Sequence, residues 1–153
     1  MTAARPHWFD DFAVGQMYEF GDEPVERDEV IAFAQRFDAQ DFHVDEQAAA
    51  RSPYGGLIAS GWHTAALMMR MLVLHFIPRE SSLGSPGMDE VRWLLPVRPG
   101  DRLRARLEVL AVRRSNTKPD RGTVTQRTEV LNQHSEVVLR CVGMGMYRCR
   151  LAN

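Results

Sequence analysis

SGWHTAALMMRMLVLHFIP, residues 60–78, decides the fold of this chain. Ser60 is a good N-cap for a helix that begins there. The apolar residues that follow, from Trp62 through Ala65, Leu67, Met68, Met71, Leu72 and Phe76 to Ile77, fall on nearly all sides. A helix that is apolar all round is a buried one. It is too short to span a bilayer, which takes about 20 apolar residues, and Arg70 and His75 interrupt it. Pro78 ends it.

Downstream the hydrophobic period changes. Residues 81–87 read as a flexible connection and 88–97 (MDEVRWLLPV) as a strand. RPGD at 98–101 is a turn. From Arg102 the alternation is plain: Leu103, Ala105, Leu107 and Val109 share one face, and Arg102, Arg104, Arg106 and Glu108 the other. That pattern predicts an antiparallel strand with one solvated face. A polar loop at 115–121, a strand at 122–131, a turn at 132–135 and a strand at 136–149 complete a meander. Such a sheet can curl its apolar face around the long helix, an α+β arrangement.

Upstream of the helix the signals are shorter. Residues 16–25 read as a strand and 28–37 as a helix capped by Asp28. Val30, Ile31, Phe33, Ala34 and Phe37 form its apolar stripe. Residues 38–44 read as irregular. A short helix at 45–50 capped by Asp45 follows, then a loop at 52–59 with Pro53, Gly55 and Gly56.

The chain has 153 residues and no internal repeat, which predicts a single domain over 1–153. Its 19 basic and 20 acidic residues give a formal charge of -1, which speaks against a nucleic-acid partner. The start, MTAARPHWFDDF, lacks the apolar stretch of a secretory leader, so a cytoplasmic protein is expected. Cys141 and Cys149 would lie roughly 26 Å apart along one strand, too far for a disulfide.

Two segments carry candidate chemistry. FDAQDFHVDEQAA, residues 37–49, holds Asp38, Asp41, His43 and Asp45. Asp45 is accounted for as a cap, Asp41 as a solvated loop residue or a site residue. Asp38 and His43 are five apart and cannot share one face of a regular element, but in a turn they can converge on one water. A carboxylate working with an imidazole is the usual equipment for activating water. GGLIASGWHTAAL, residues 55–67, places Ser60 and Gly61 at a helix start. Free N–H groups and the positive dipole end there can stabilise an oxyanion. The plain alternative is close packing, and His63 reads as a packing or supporting residue. No G-x-S-x-G elbow, P-loop or metal-ligand spacing occurs, so no metal or cofactor is expected. Gly143 and Gly145 are spaced as in a dinucleotide motif but lie within a predicted strand.

Together the two segments resemble the MaoC-like dehydratases, a hot-dog-fold family that includes (R)-specific enoyl-CoA hydratases. The family pattern Asp-x-Asn-Pro-x-His-x-Asp reads here Asp38-Ala39-Gln40-Asp41-Phe42-His43-Val44-Asp45, with Ser60-Gly61 at the helix head. The PVRPGD turn at 96–101 also matches. The resemblance implies an antiparallel sheet wrapped around the central helix. It implies a homodimer or higher homo-oligomer, paired edge to edge, that takes acyl-CoA between subunits. It implies reversible hydration of a trans-2-enoyl-CoA. Asp38 and His43 would activate water, the Gly61 N–H would polarise the thioester, and Gln40, Phe42, Gly56, Ser60 and Trp62 would contact substrate. Gln40 and Asp41 depart from the pattern. If Asp41 points inward, it should raise the pKa of Asp38 and His43. A hot-dog thioesterase and a non-catalytic acyl-CoA-binding or partner subunit are the competing readings. Lys118 and Arg121 are candidates for the CoA phosphates.

Overall fold

The computed structural model describes residues 2–151. Strands β1 (Met17–Pro24), β2 (Met88–Trp93), β3 (Arg102–Arg114), β4 (Arg121–Leu131) and β5 (Val137–Arg148) form one sheet. Its order is β1-β3-β4-β5-β2, with every pair antiparallel. The helices are α1 (Arg27–Phe37), α2 (Asp41–Val44), α3 (Glu46–Arg51) and α4 (Gly61–His75). The sheet packs on α4, which is the hot-dog arrangement the resemblance implies.

The alternation of β3 sets the inner face: Leu103, Ala105, Leu107 and Val109 are all buried. Val124 and Val130 of β4 and Leu139, Cys141 and Tyr147 of β5 join them. Leu67, Met68, Met71, Leu72 and Phe76 answer from the helix side. The helix approaches β1 so closely that a Cβ at Gly21 would overlap the Met71 side chain, and Gly21 also sits at φ +90°. Only glycine meets both demands. The outer face carries cross-strand ion pairs, with Glu129 held between Arg106 and Arg140, both at 2.9 Å, and Arg127 paired with Glu108.

The long helix differs from expectation in two ways. It ends at His75, because the N–H groups of both Phe76 and Ile77 turn back to the Leu72 carbonyl ahead of Pro78. And it is not covered all round: Trp62 (61% exposed), Met69 and Val73 leave an apolar stripe open. One sheet can cover only one side of a cylinder. Three smaller corrections follow. Glu26, not Asp28, occupies the N-cap position of α1, and Asp28 instead pairs with Arg27 at 2.8 Å. Part of the segment expected to be irregular is the helical turn α2, closed by Asp45 N–H to the Asp41 carbonyl at 2.9 Å. Strand β2 stops at Trp93, short of Val97, where Pro96 cannot donate to a ladder. Asp45 and Ser60 do cap α3 and α4 through their side chains. Cys141 and Cys149 are both free thiols.

Candidate active site

Asp38 terminates α1, with its N–H on the Ala34 carbonyl and its backbone outside the helical region. The chain then turns through Gln40 into α2, and this turn brings His43 back beside Asp38. The Asp38 carboxylate is held through both of its oxygens. Its Oδ1 accepts from Gln40 Nε2 at 2.7 Å, and its Oδ2 accepts from Ser60 Oγ at 2.7 Å. His43 Nε2 lies 3.3 Å from the same Oδ2. The Gln40 amide, then the Ser60 hydroxyl and, when its ring is protonated, the charge of His43 hold the Asp38 carboxyl below its ordinary range, against the opposing effect of burial.

The tautomer of His43 follows from its other nitrogen. Nδ1 lies 2.7 Å from the Ile58 carbonyl oxygen, which can only accept, so Nδ1 carries the proton. In the neutral ring Nε2 then presents a lone pair beside the Asp38 carboxylate. Two acceptors facing one another call for a donor with two hydrogens, and water is the smallest such donor.

Ser60 is fully buried and does two things at once. Its Oγ accepts from the Trp62 N–H at 3.3 Å, capping α4, and donates to Asp38. The next residue, Gly61, has an N–H in the first turn with no acceptor inside the helix. Trp93, at the end of β2, lies over it: its indole N–H donates to the Gly61 carbonyl at 2.7 Å, and a Cβ at Gly61 would come within 2.5 Å of the ring.

These groups border a cleft of about 480 Å³. Of the residues singled out from the sequence, Asp38, Gln40, Phe42, His43, Gly61 and Trp62 line it. Ser60 stands behind Asp38 rather than on the wall, and Gly56 lies outside the lining, against Arg98. Asp41 is exposed at the first turn of α2, and its side chain is not among the hydrogen-bond or ion-pair partners of Asp38 and His43. The inward-pointing case is therefore not realised, and Asp38 is shifted down, not up. The position explains the residue: the first turn of a helix suits a proline's fixed φ and a carboxylate's charge alike. His63 sits apart from the cleft, buried, with Nε2 donating to Glu29 at 2.9 Å and its ring stacked on Phe33. Arg121 pairs with Asp120 at 2.9 Å, and neither it nor Lys118 borders the cleft.

The sequence reading missed Trp93, Leu94, Leu95 and Pro96, which also line the cleft, and Thr64 on α4. They arrive through the pairing of β2 with β5, a contact between distant parts of the chain. The only local signal was an aromatic and two leucines running into a proline.

Comparison with known proteins gives a consistent picture. The family model described as "MaoC like domain" matches residues 11–132. The crystal structure of a MaoC-like dehydratase from Rhodospirillum rubrum superposes with a TM-score of 0.89, at 42% identity, covering 96% of this chain and 100% of that one. The (R)-hydratase from A. caviae involved in PHA biosynthesis gives a TM-score of 0.66 at 26% identity, covering 91% and 98%. The 3-hydroxyacyl-thioester dehydratase Z of Mycobacterium tuberculosis is 32% identical over 69% of this chain and 72% of its own length.

Proposed function

The chain belongs to the MaoC-like dehydratase family, and from that premise we propose that it reversibly hydrates a trans-2-enoyl-CoA to the 3-hydroxyacyl-CoA, of R configuration as in the A. caviae relative. The observation that carries this reading is the 3.3 Å approach of His43 Nε2 to Asp38 Oδ2 at the wall of the cleft.

The steps balance without any added group. A water donates one hydrogen bond to Asp38 and one to His43. Its oxygen attacks the β-carbon as its proton passes to the imidazole. The π electrons of the double bond move to the α-carbon and the thioester oxygen, forming an enolate. The Gly61 N–H, with the positive end of α4 behind it, stabilises that oxygen. The imidazolium then gives that proton to the α-carbon, which leaves hydrogen at C2 and hydroxyl at C3 and returns His43 to its neutral form. Asp38, kept ionised by its three partners, stabilises the imidazolium while it exists. Gln40, Phe42 and Trp62 contact the substrate in this reading, and Ser60 acts on it only through Asp38.

The same reading includes a homodimer. Trp62, Met69 and Val73 of α4 and Trp93, Leu94 and Leu95 at the end of edge strand β2 form an exposed apolar face. A second copy that covered it would account for the open stripe of the helix. It also takes residues 1–153 as one domain acting in the cytoplasm; among the described residues no helix is long and apolar enough to cross a membrane.

Loss of the conjugated thioester absorbance on a panel of trans-2-enoyl-CoAs tests the reaction. Turnover that vanishes in Asp38→Ala and His43→Ala supports it. A folded protein inert across the panel, or one fully active in both variants, overturns it.

A further inference from the structure

A second hollow, of about 220 Å³, lies between α4 and the sheet. Its origin is in the strand register. The inward positions of β5 at 143 and 145 are glycines and supply no side chain of their own; Met88 lies against the first and the Tyr147 phenol over the second. Gln126 stands directly beside Gly143, and Thr128 beside Cys141. Both point inward on β4, at 8% and 1% exposure, and both border the hollow. Gln126 Oε1 has no hydrogen-bond partner. Thr128 Oγ1 has no nitrogen or oxygen partner, only the Cys141 thiol beside it, which is a weak one. Leaving such groups unpaired costs folding free energy, and valine or leucine at either place would avoid that cost.

The hollow is chemically distinct from the catalytic cleft. No charged side chain lines it, so an ionised group would enter without a counter-charge. Its apolar walls include Met69, Leu72, Val73 and Met88; besides the Gln126 amide and the Thr128 hydroxyl, its neutral polar groups are Ser82, Ser85 and the Tyr147 phenol. Its place relative to the cleft is set by shared walls. Helix α4 gives Gly61, Trp62 and Thr64 to the cleft and Met69 and Leu72 to the hollow, and β2 gives Trp93 to one and Met88 to the other. Both therefore open along one α4–β2 seam, separated by about 8–16 Å of helix rise.

We propose that this hollow receives the far end of the acyl chain and selects chains that carry a neutral hydrogen-bonding group there, a hydroxyl or a ketone. It rests on the enoyl-thioester reading above, and it makes Gln126 and Thr128 specificity residues. A chain running the length of the seam needs about ten carbons beyond the thioester. The apolar walls accept its methylenes, and Gln126 and Thr128 supply both a donor and an acceptor to its end.

The experiment compares trans-2-enoyl-CoAs of equal length, about eight to twelve carbons, ending in methyl, hydroxyl, ketone or carboxylate. The expected result is a preference for hydroxyl or ketone over methyl of roughly tenfold in kcat/KM, carried in KM, with carboxylate the poorest. Gln126→Leu, alone and with Thr128→Val, should bring the ratio to one. Equal use of all tails, as when water or a partner's side chain fills the hollow, overturns the proposal. So does a preference that survives both substitutions. If neither variant folds, the ratio in the unmodified protein decides. If no substrate is hydrated, the proposed reaction fails by itself, and calorimetric binding of the saturated acyl-CoAs with the same four tails reads the same ratio without turnover.

Discussion

The indole N–H of Trp93 donates to the carbonyl oxygen of Gly61 at 2.7 Å, so the end of an edge strand is fastened to the head of the central helix. The ring also occupies the space a side chain at position 61 would need. Gly61→Ala should therefore displace Trp93, costing about 1–3 kcal/mol as overpacked sites do. Thermal denaturation should show the loss. Activity should fall further than stability if the Gly61 N–H faces the thioester as proposed, because it moves with the backbone. Trp93→Phe keeps the ring and removes the donor, and should be milder on both counts.

The two residues at the centre of the cleft should be separable from folding. Asp38→Asn keeps the shape and the Gln40 and Ser60 neighbours, yet removes the charge. Hydration should drop by a factor on the order of 10²–10⁴, with a melting temperature near that of the parent. Following free thiol alongside the conjugated absorbance checks the reaction class. Release of CoA in step with the absorbance change would mean hydrolysis of the thioester instead.

The pH dependence has a definite sign. The Gln40 amide, the Ser60 hydroxyl and His43 lower the Asp38 pKa in the folded chain. Asp38 thus supports the fold above its unfolded value, and this support is lost as pH falls through the lowered folded value. The acid limb of kcat/KM should lie below the ordinary aspartate range where Asp38 governs it. In Gln40→Leu and in Ser60→Ala that limb should move to higher pH. A limb that stays in place in both variants would show that Asp38 does not govern it.

The exposed stripe on α4 makes a prediction about assembly. Val73→Glu and Met69→Glu place charges in the middle of the apolar face. Light scattering should show the parent as a dimer or larger and the variants shifted toward a single chain. A parent that runs as a single chain at all concentrations would remove the second copy from the proposal.

Some of this was legible in the residues and some was not. Caps are local, so Asp45 and Ser60 could be read from the few residues that follow them. The β3 alternation was equally local, and it set the inner face. Asp28 misled because a helix start offers several equivalent first-turn positions, and Glu26 took the cap position while Asp28 paired with Arg27. The Asp38–His43 turn was legible as a convergence, but the direction of Asp41 was not, since it depends on where α2 begins. Trp93 was out of reach because its role depends on β2 crossing to pair with β5. And an all-round apolar helix says that something covers every face, without saying whether that cover comes from the same chain.

Ser60 spends one hydroxyl on two structures, the first turn of α4 and the Asp38 carboxylate. A chain in which that turn frays has therefore already lost an anchor of the Asp38 carboxylate, even with the sheet intact. Site assembly and helix nucleation become one cooperative unit. Amide exchange in the first turn of α4 should respond to mild denaturant together with activity, ahead of the exchange of β3 and β4. Partial unfolding of this protein would then yield few species that are locally frayed and still active.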